Sequence, residues 1–288
     1  MIPDVDNDSI VYLNGEYLRL GDAKVSVLDR GFIFGDGIYD VVPAYKGVPF
    51  RMDGHLARLE RSLALLSINV GWTRGQWEAL VLDLLKRSTL ENSMIYLQVT
   101  RGVAKRDHAF PGNNVTPTIF GMVAPFSPPG QAQREQGLTA VSVPDIRWLR
   151  CEIKSTSLLG NVLAKQQAVD AGVDEVVQFR DGYLSEGASC NIWIAKDGKL
   201  LAPPRDNLIL AGIRFGVLEE LAKAAGIVFE ARPISQEEVE QADEIMMTSA
   251  TKEVLPIVTY NGKPVGSGKP GPVYATLRAG YDTLVAKS

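Results

Sequence analysis

The sequence has few of the residues that metal centres and disulfide frameworks need. Two cysteines, Cys151 and Cys190, and two histidines are present among 288 residues. Two thiols cannot build a disulfide framework, and we expect no structural zinc or other metal site. No apolar run approaches the roughly 18 residues that a membrane span requires. The first residues lack the basic and apolar regions of a signal peptide. These absences predict a cytoplasmic protein with no membrane partner.

The chain also lacks an excess of basic charge. It has 30 lysines and arginines against 34 aspartates and glutamates, a formal net charge of −4. That balance offers no basic surface for a nucleic acid, so we expect no nucleic-acid partner. Hydrophobic residues make up 45% and charged residues 22% of the chain, as in soluble globular proteins. The length is sufficient for one or two domains with a substantial core.

The chain divides into two predicted domains. Residues 1–122 alternate strand and helix patterns, and leucines spaced three and four apart predict helices at Met52–Ile68 and Gln76–Leu90. Three prolines and a glycine then interrupt the pattern, so we interpret residues 123–134 as an interdomain linker. Residues 135–288 form the second predicted domain.

The most informative segment of the chain is Asp145–Asn161. It places Lys154 at the end of a strand-like run and just before a predicted helix. A rigidly held lysine can have a lowered pKa and attack an aldehyde as a free amine. Glu186 precedes a second apolar strand, and a carboxylate can keep a pyridine nitrogen protonated. Together they suggest a pyridoxal-phosphate (PLP) enzyme, although a lone lysine is most often a surface residue and a Glu-Gly pair a turn.

Four further features suit the same chemistry. Gly212 precedes a predicted helix, whose N-terminus favours a phosphate. Met247–Thr251 is a hydroxyl-rich loop that could donate to phosphate oxygens, and Arg58 lies on the polar side of the first helix. Arg106 and His108 follow a strand and suit carboxylate capture. Each feature taken alone also has an ordinary reading, as a turn or as a solvated basic residue.

The order and spacing of these features are more specific than any one of them. In this respect the chain resembles the fold-type IV PLP enzymes and, within them, the D-amino-acid aminotransferases. The resemblance runs from about Tyr12 to the C-terminus, and the Arg-x-His pair points to the D-specific group. The matching stretches are Asp29–Val41, His55–Leu59, Gln98–Gly102, Arg106–Pro111, Asp145–Lys165, Glu186–Asn191 and Leu208–Ile213.

The resemblance implies a fold and a set of cofactor contacts. The fold is α+β, with a small N-terminal α/β domain and a larger C-terminal mixed, β-barrel-like domain with flanking helices. Lys154 matches the lysine that bonds covalently to PLP and moves the proton between Cα and C4′. Glu186 matches the carboxylate at the pyridine nitrogen. The other implied cofactor residues are Arg58, Leu210, Gly212, Ile213, Arg214, Ser249 and Ala250.

Some of these positions depart from the family pattern. Arg214 and Ala250 stand where the D-specific enzymes commonly have threonines that bind phosphate. Ala188 and Cys190 replace serines of the run that follows the glutamate. We expect PLP binding with redistributed phosphate contacts, to which the charge of Arg214 could contribute.

The resemblance also implies a substrate site and an activity. Tyr39, Arg106 and His108 match the trap for the substrate carboxylate, and Val41 lines a small pocket beside it. In the family the loop with the Arg-x-His pair comes from the neighbouring subunit, which implies a homodimer with its active site at the interface. The implied reaction is transamination between D-amino acids, such as D-alanine and D-glutamate, and the 2-oxo acids pyruvate and 2-oxoglutarate.

Three alternatives remain open. The same scaffold carries L-branched-chain aminotransferases, which hold the carboxylate on the other side of the site, and a lyase that releases pyruvate from 4-amino-4-deoxychorismate. The third is a ligand-binding relative without catalysis, against which the retention of Lys154 and Glu186 argues.

Overall fold

The structure is a computed structural model that describes residues 5–112 and 114–287. These residues form two compact units. The first unit comprises Met1–Ser127 together with Ile153–Leu158. The second comprises Pro128–Glu152 and Leu159–Ser288. The short segment with the candidate lysine therefore belongs to the first unit, although residues of the second unit both precede and follow it in the sequence.

The first unit is built on a six-stranded sheet. Its strands are β1 (Ile10–Leu13), β2 (Glu16–Arg19), β3 (Gly37–Tyr45), β4 (Val48–Pro49), β5 (Ser93–Thr100) and β6 (Thr118–Pro125). Its helices are α1 (Arg30–Phe34), α2 (Met52–Leu65) and α3 (Arg74–Lys86), with a 3-10 turn at Leu20–Asp22. The strand order is β2-β1-β6-β5-β3-β4, and each pair of neighbouring strands is antiparallel.

The core of the first unit lies between this sheet and the helices α2 and α3. Alternate residues of β5 are buried, which is typical of a strand with one face on the core. Leu56 and Leu59 of α2 and Trp77 of α3 are almost fully buried in the same cluster. Burying a side chain of this size stabilises the fold by about 1.5–3 kcal/mol. The opposite face of the sheet stays half-exposed and carries the candidate substrate residues.

The second unit is built on a nine-stranded mixed sheet. Its strands are β7 (Leu138–Pro144), β8 (Glu175–Arg180), β9 (Tyr183–Leu184), β10 (Asn191–Lys196), β11 (Lys199–Ala202), β12 (Phe229–Ala231), β13 (Glu244–Ser249), β14 (Glu253–Tyr260) and β15 (Lys263–Pro264). The order is β12-β11-β10-β13-β14-β7-β8-β9, with β15 beside β14. Strand β7 runs parallel to β8 and β14, and β10 runs antiparallel to β13.

Helices cover this sheet, and its central strands are buried on both faces. The helices are α4 (Gln131–Gln136), α5 (Leu159–Asp170), α6 (Ile213–Ala224), α7 (Gln236–Glu240) and α8 (Pro272–Ala286). The first five residues of β8, β10 and β13 are all buried, which explains their continuous apolar sequences. Trp193 of β10 packs against Phe215 of α6 with ring centres 4.4 Å apart.

The α+β fold class and the mixed sheet of the C-terminal part are confirmed. The sheet of the first unit is antiparallel, so its strands and helices do not form the βαβ repeats of an α/β domain. Strand β6 extends to Pro125 and α4 begins at Gln131, so regular structure enters both ends of the segment 123–134. Among the described residues, no helix combines the length and the apolar character that crossing a membrane requires.

Candidate active site

Lys154 does not end a strand, contrary to the prediction. Strand β7 stops at Pro144, ten residues earlier. The chain then turns, because Asp145 accepts hydrogen bonds from the backbone N–H and the guanidinium of Arg147. Local side-chain contacts of this kind compete with the β-strand that the apolar residues of the segment suggested.

The backbone of Lys154 is instead held by the first sheet. Its carbonyl accepts from the N–H of Tyr39 at 3.0 Å, and its own N–H donates to Ser62 Oγ at 3.3 Å. The next residue, Ser155, forms an isolated bridge with Ile38 of β3. Lys154 therefore has the rigid support that a strand end was predicted to give, supplied by contact with β3 and α2.

The side chain of Lys154 lies on the half-exposed face of the first sheet. Its Nζ is 4.1 Å from the ring centre of Tyr39, a distance at which the ring attracts a cation. Tyr39 stacks on Tyr96 with ring centres 5.6 Å apart, and the hydroxyl of Tyr96 donates to Gln98 Oε1 at 2.6 Å. Burial raises the pKa of Tyr96 to about 12. Val41 pairs with Tyr96 across the two strands, so the predicted substrate residues Tyr39 and Val41 share this face.

Arg58 is buried, and it is not the solvated residue of a polar helix face. Its Nε and Nη2 each donate to the carboxylate of Asp40 at 2.8 Å, and His55 Nδ1 lies 2.7 Å from Asp40 Oδ1. Burial acts to raise the pKa of Asp40, but Arg58 and His55 hold it well below its ordinary range. A bidentate pair fixes the direction of a guanidinium, so Asp40 sets the orientation of the Arg58 side chain.

Arg106 and His108 are brought to one aromatic ring. The ring centre of Phe34 is 5.4 Å from that of His108 and 5.5 Å from Cζ of Arg106. Both side chains are exposed in the single chain. The structure therefore places the predicted carboxylate-binding pair side by side and leaves their donors accessible.

Glu186 is buried in the second unit and is held by three donors. Nη1 of Arg147 donates to its Oε1, while the N–H of Leu210 and Nδ2 of Asn191 donate to Oε2 at 3.0 and 3.3 Å. Burial raises the pKa of Glu186 to about 7, and Arg147 acts in the opposite direction. Such a balance suits a carboxylate whose charge is stabilised further by a bound cation.

Arg147 binds Glu186 and is itself held by Asp145, and the sequence analysis missed both residues. Arg147 donates to both oxygens of Asp145, at 2.9 and 2.8 Å, in addition to Glu186. Ser185 Oγ also donates to Asp145 at 2.8 Å. Burial acts to raise the pKa of Asp145, but its hydrogen bonds lower it to about 2. The signal in the sequence was an Asp-x-Arg directly after strand β7.

Asn191, also missed, connects Glu186 to the start of α6. Its Nδ2 donates to the carbonyl of Leu210 at 2.8 Å, and its Oδ1 accepts from the N–H of Gly212 at 3.1 Å. A Cβ at Gly212 would lie 2.4 Å from that Oδ1, so a larger residue there would displace the Asn191 amide. The first N–H groups of a helix have no partner within it and favour an anion, so α6 at Ile213 is a candidate phosphate site.

Arg214 faces the loop that follows β13. The residue is 1% exposed. Its Nη2 donates to the carbonyl of Ala250 and its Nε to the hydroxyl of Tyr281, both at 3.2 Å. Ser249 Oγ accepts from the N–H of Lys252 at 3.0 Å in the same loop. Arg214 thus supports the backbone at Ala250. A direct contact between its guanidinium and a bound phosphate stays a prediction.

Comparison with known proteins identifies the family. The family model described as amino-transferase class IV matches residues 37–260, so the chain belongs to the class IV aminotransferases. The chain is 40% identical over 275 residues to the D-alanine aminotransferase of Staphylococcus haemolyticus. The match covers 96% of this chain and 97% of that protein.

Solved structures show the same fold. The branched-chain amino acid aminotransferase of Escherichia coli has a TM-score of 0.89 and 26% identity, over 94% of this chain and 92% of that one. A hypothetical aminotransferase of Mycobacterium tuberculosis in a PLP-bound form has a TM-score of 0.82 and 22% identity, over 96% and 99%. The predicted fold-type IV architecture is therefore confirmed.

Proposed function

We propose that this protein is a PLP-dependent aminotransferase that exchanges amino groups between D-amino acids and 2-oxo acids. The observation that carries the proposal is the pairing of Arg106 and His108 on Phe34. It supports D-amino acids because this pair marks the D-specific group that the sequence resembles. The similarity to the Staphylococcus haemolyticus D-alanine aminotransferase, which extends over nearly the whole of both chains, supports the same activity.

Each unit offers groups that fit PLP. The first unit offers the amine of Lys154 and the oriented guanidinium of Arg58. The second offers the buried carboxylate of Glu186 and the N-terminus of α6, where a side chain at position 212 would displace Asn191. These groups match an aldehyde, a pyridine nitrogen and a phosphate. Leu210 would pack against the ring, and the loop of Ser249 and Ala250 would add phosphate contacts. When bound, PLP supplies the aldehyde that accepts the amino group and the ring that withdraws electrons.

The residues of this chain then have distinct tasks. Lys154 would hold the cofactor covalently, and its amine, once freed, would carry the proton to and from the substrate Cα. Glu186 would pair with the pyridine nitrogen, and Arg147 orients this carboxylate by donating to Oε1. The ring of Tyr39 packs against the Lys154 amine and helps to hold it in place. Each task needs only a side chain held in place by the contacts described above.

The substrate carboxylate belongs with Arg106 and His108. Both are exposed in the single chain, as a loop that serves a neighbouring subunit must be. We therefore propose a homodimer in which each subunit contributes this loop to its partner's active site. Binding the carboxylate on one side presents the Cα–H of one enantiomer to Lys154, and Val41 limits the space for the substrate side chain.

A paired substrate assay tests the function. D-alanine, D-glutamate, L-alanine and L-leucine are each offered with a suitable 2-oxo acid, and the new amino acid is measured by chiral chromatography. We expect turnover of both D-amino acids and little of either L-amino acid. A preference for L-leucine would favour the branched-chain alternative, and pyruvate released from 4-amino-4-deoxychorismate without an acceptor would favour the lyase. The absence of an absorbance band near 400 nm with added PLP would favour a ligand-binding relative.

Replacing Glu186 by alanine is expected to lower kcat by at least about 10-fold, since a charge-assisted hydrogen bond contributes about 1.5–3 kcal/mol. PLP should still bind through Lys154 and the phosphate contacts. The measurement is kcat for D-alanine with 2-oxoglutarate. Glu244→Gln is the matched control: Glu244 is also buried in the second unit, but it accepts from the N–H groups of Val273 and Tyr274. It should lower the melting temperature without a specific loss of turnover. Unchanged kcat in Glu186→Ala would place the carboxylate away from the ring nitrogen.

A further inference from the structure

The segment Asp29–Asp36 marks the family in the sequence, but the proposed reaction gives it no task. It forms the short helix α1, which Asp29 caps by accepting from the N–H of Gly31 at 2.8 Å. The other oxygen of Asp29 accepts from Thr118 Oγ at 2.6 Å, which fixes α1 on β6. Gly35 ends the helix at φ 65°, a conformation that favours glycine. The segment is therefore rigid and well anchored.

Arg30 reaches from this helix to the loop that carries the carboxylate-binding pair. The residue is 3% exposed. Its Nη1 donates to the carbonyl of Asp107 at 2.6 Å and to that of Ala109 at 3.3 Å. These two carbonyls flank His108 on either side. One guanidinium thus binds the backbone directly before and directly after a predicted substrate ligand.

An ion cluster fixes Arg30 in turn. Its Nε donates to Asp36 Oδ2 at 2.7 Å, and Arg101 donates to both oxygens of the same carboxylate at 2.8 and 3.0 Å. Burial acts to raise the pKa of Asp36, but Arg101 and Arg30 lower it below its ordinary value. Arg101 also lies 3.6 Å from the ring centre of Phe110, at the far end of the loop. The cluster therefore holds the loop near its middle and at one end.

The backbone holds the other end of the loop. The N–H of Arg30 donates to the carbonyl of Gly102 at 2.9 Å, and the N–H of Ala104 donates to the carbonyl of Leu28 at 3.3 Å. Phe34 packs between Arg30, whose Cζ is 4.9 Å from its ring centre, and the exposed Arg106 and His108. Residues 103–110 would otherwise be an exposed loop with few restraints.

We propose that Arg30 is a positioning residue that holds the loop with Arg106 and His108 in its carboxylate-binding conformation, with Phe34 as the surface against which both side chains pack. The inference rests on the proposed function, because the role of Arg106 and His108 belongs to it. A loop fixed before substrate arrives avoids the entropic cost of being ordered on binding. Arg30 acts on substrate affinity through the loop and touches neither substrate nor cofactor.

Hydrogen exchange of the holoenzyme tests the positioning directly. In Arg30→Gln, amide exchange in the peptide that covers residues 103–110 should accelerate by about 10-fold, the effect of losing one charge-assisted hydrogen bond. Arg30→Lys keeps the positive charge but loses the planar guanidinium that binds Asp36 and the loop carbonyls together. It should therefore show a smaller acceleration of exchange. The control is Arg74→Gln, since Arg74 pairs with Glu60 and Asp53 elsewhere in the same unit and should leave the peptide unchanged. This measurement needs no substrate, so it stands even if D-alanine is not used.

Steady-state kinetics separate positioning from a general structural effect. In Arg30→Gln, KM for D-alanine and the inhibition constant of propionate should rise together by about 10-fold, while kcat stays within about 3-fold. A folded Arg30→Gln protein with unchanged exchange and unchanged KM overturns the proposal, and so does a loss confined to kcat. If Arg30→Gln does not fold, Phe34→Leu leaves the Asp36 ion pairs intact and should still raise KM by about 3-fold; normal KM in that variant overturns the proposal. A wild-type enzyme inactive on D-alanine would instead reject the proposed function.

Discussion

Replacing Lys154 by alanine is expected to lower kcat by about 10⁴-fold, the upper range for the loss of a positioned proton-transfer group. Its Nζ lies over the ring of Tyr39, and its backbone is bound to β3 and α2. In the variant, only a small amine from solution could replace the lysine amine, and the fold would not hold it in place. The measurement is transamination between D-alanine and 2-oxoglutarate, followed to low turnover numbers.

Chemical trapping gives the same prediction a second test. Borohydride reduction of the protein with PLP should attach the cofactor irreversibly to the peptide that contains Lys154. Lys165 lies in α5, the next helix along the chain. It is the matched control because it is exposed and its Nζ donates to the carbonyl of Asp174. Lys165→Ala should keep both the label and the turnover. A label on any other lysine, or turnover retained in Lys154→Ala, would overturn the assignment.

Helices with strong apolar spacing were predictable, and their ends were not. The predicted helix Met52–Ile68 begins correctly but ends at Leu65. Ser67 has φ 52°, and Arg101 binds the carbonyls of Leu66 and Ser67. The helix stops directly before two carbonyls that a residue 34 and 35 positions later in the chain binds. That contact depends on the tertiary fold and leaves no mark in the local sequence.

The second helix was misplaced at both ends. It was predicted at Gln76–Leu90 and is found at Arg74–Lys86. Thr73 and Gln76 form a capping box, in which the side chain of each bonds to the backbone of the other. A Thr-x-x-Gln pattern marks such a start, so the first turn was readable from the sequence. Apolar spacing alone continued the helix too far, into Ser88 and Leu90.

The local motifs suggested the chemistry of the site, but they gave no sign of the residues that orient it. Lys154 and Glu186 were singled out from their own segments and their roles stay predictions, whereas the family assignment is confirmed. The partners that orient the site residues were missed: Asp40 lies 18 positions from Arg58, and Arg147 lies 39 positions from Glu186. One sequence cannot pair such residues, because many carboxylates are equally distant. A charged residue within the apolar strand β3 was nevertheless a readable sign that Asp40 has a buried partner.

Replacing Arg106 by alanine is expected to lower kcat/KM for D-alanine by about 10²-fold, since a forked ion contact contributes about 3 kcal/mol. The preference for D- over L-alanine should weaken, because the carboxylate would no longer be held on one side of the cofactor. PLP binding should stay intact, since Arg106 packs against Phe34 in the loop and the proposed cofactor ligands lie elsewhere in the sequence. The measurement is kcat/KM for both enantiomers of alanine.

His108→Ala should have a smaller effect on the same ratio, because a neutral imidazole gives one hydrogen bond where a guanidinium gives two. Lys105→Ala is the matched control: Lys105 is exposed in the same loop, and its loss changes the loop charge by as much as the loss of Arg106. If charge alone attracted the substrate, the two variants would lose affinity equally. If the wild-type enzyme prefers L-leucine to D-alanine, or Arg106→Ala keeps full activity on D-alanine, the D-specific reading fails. The class IV fold would then carry the branched-chain reaction, with the carboxylate bound on the opposite side.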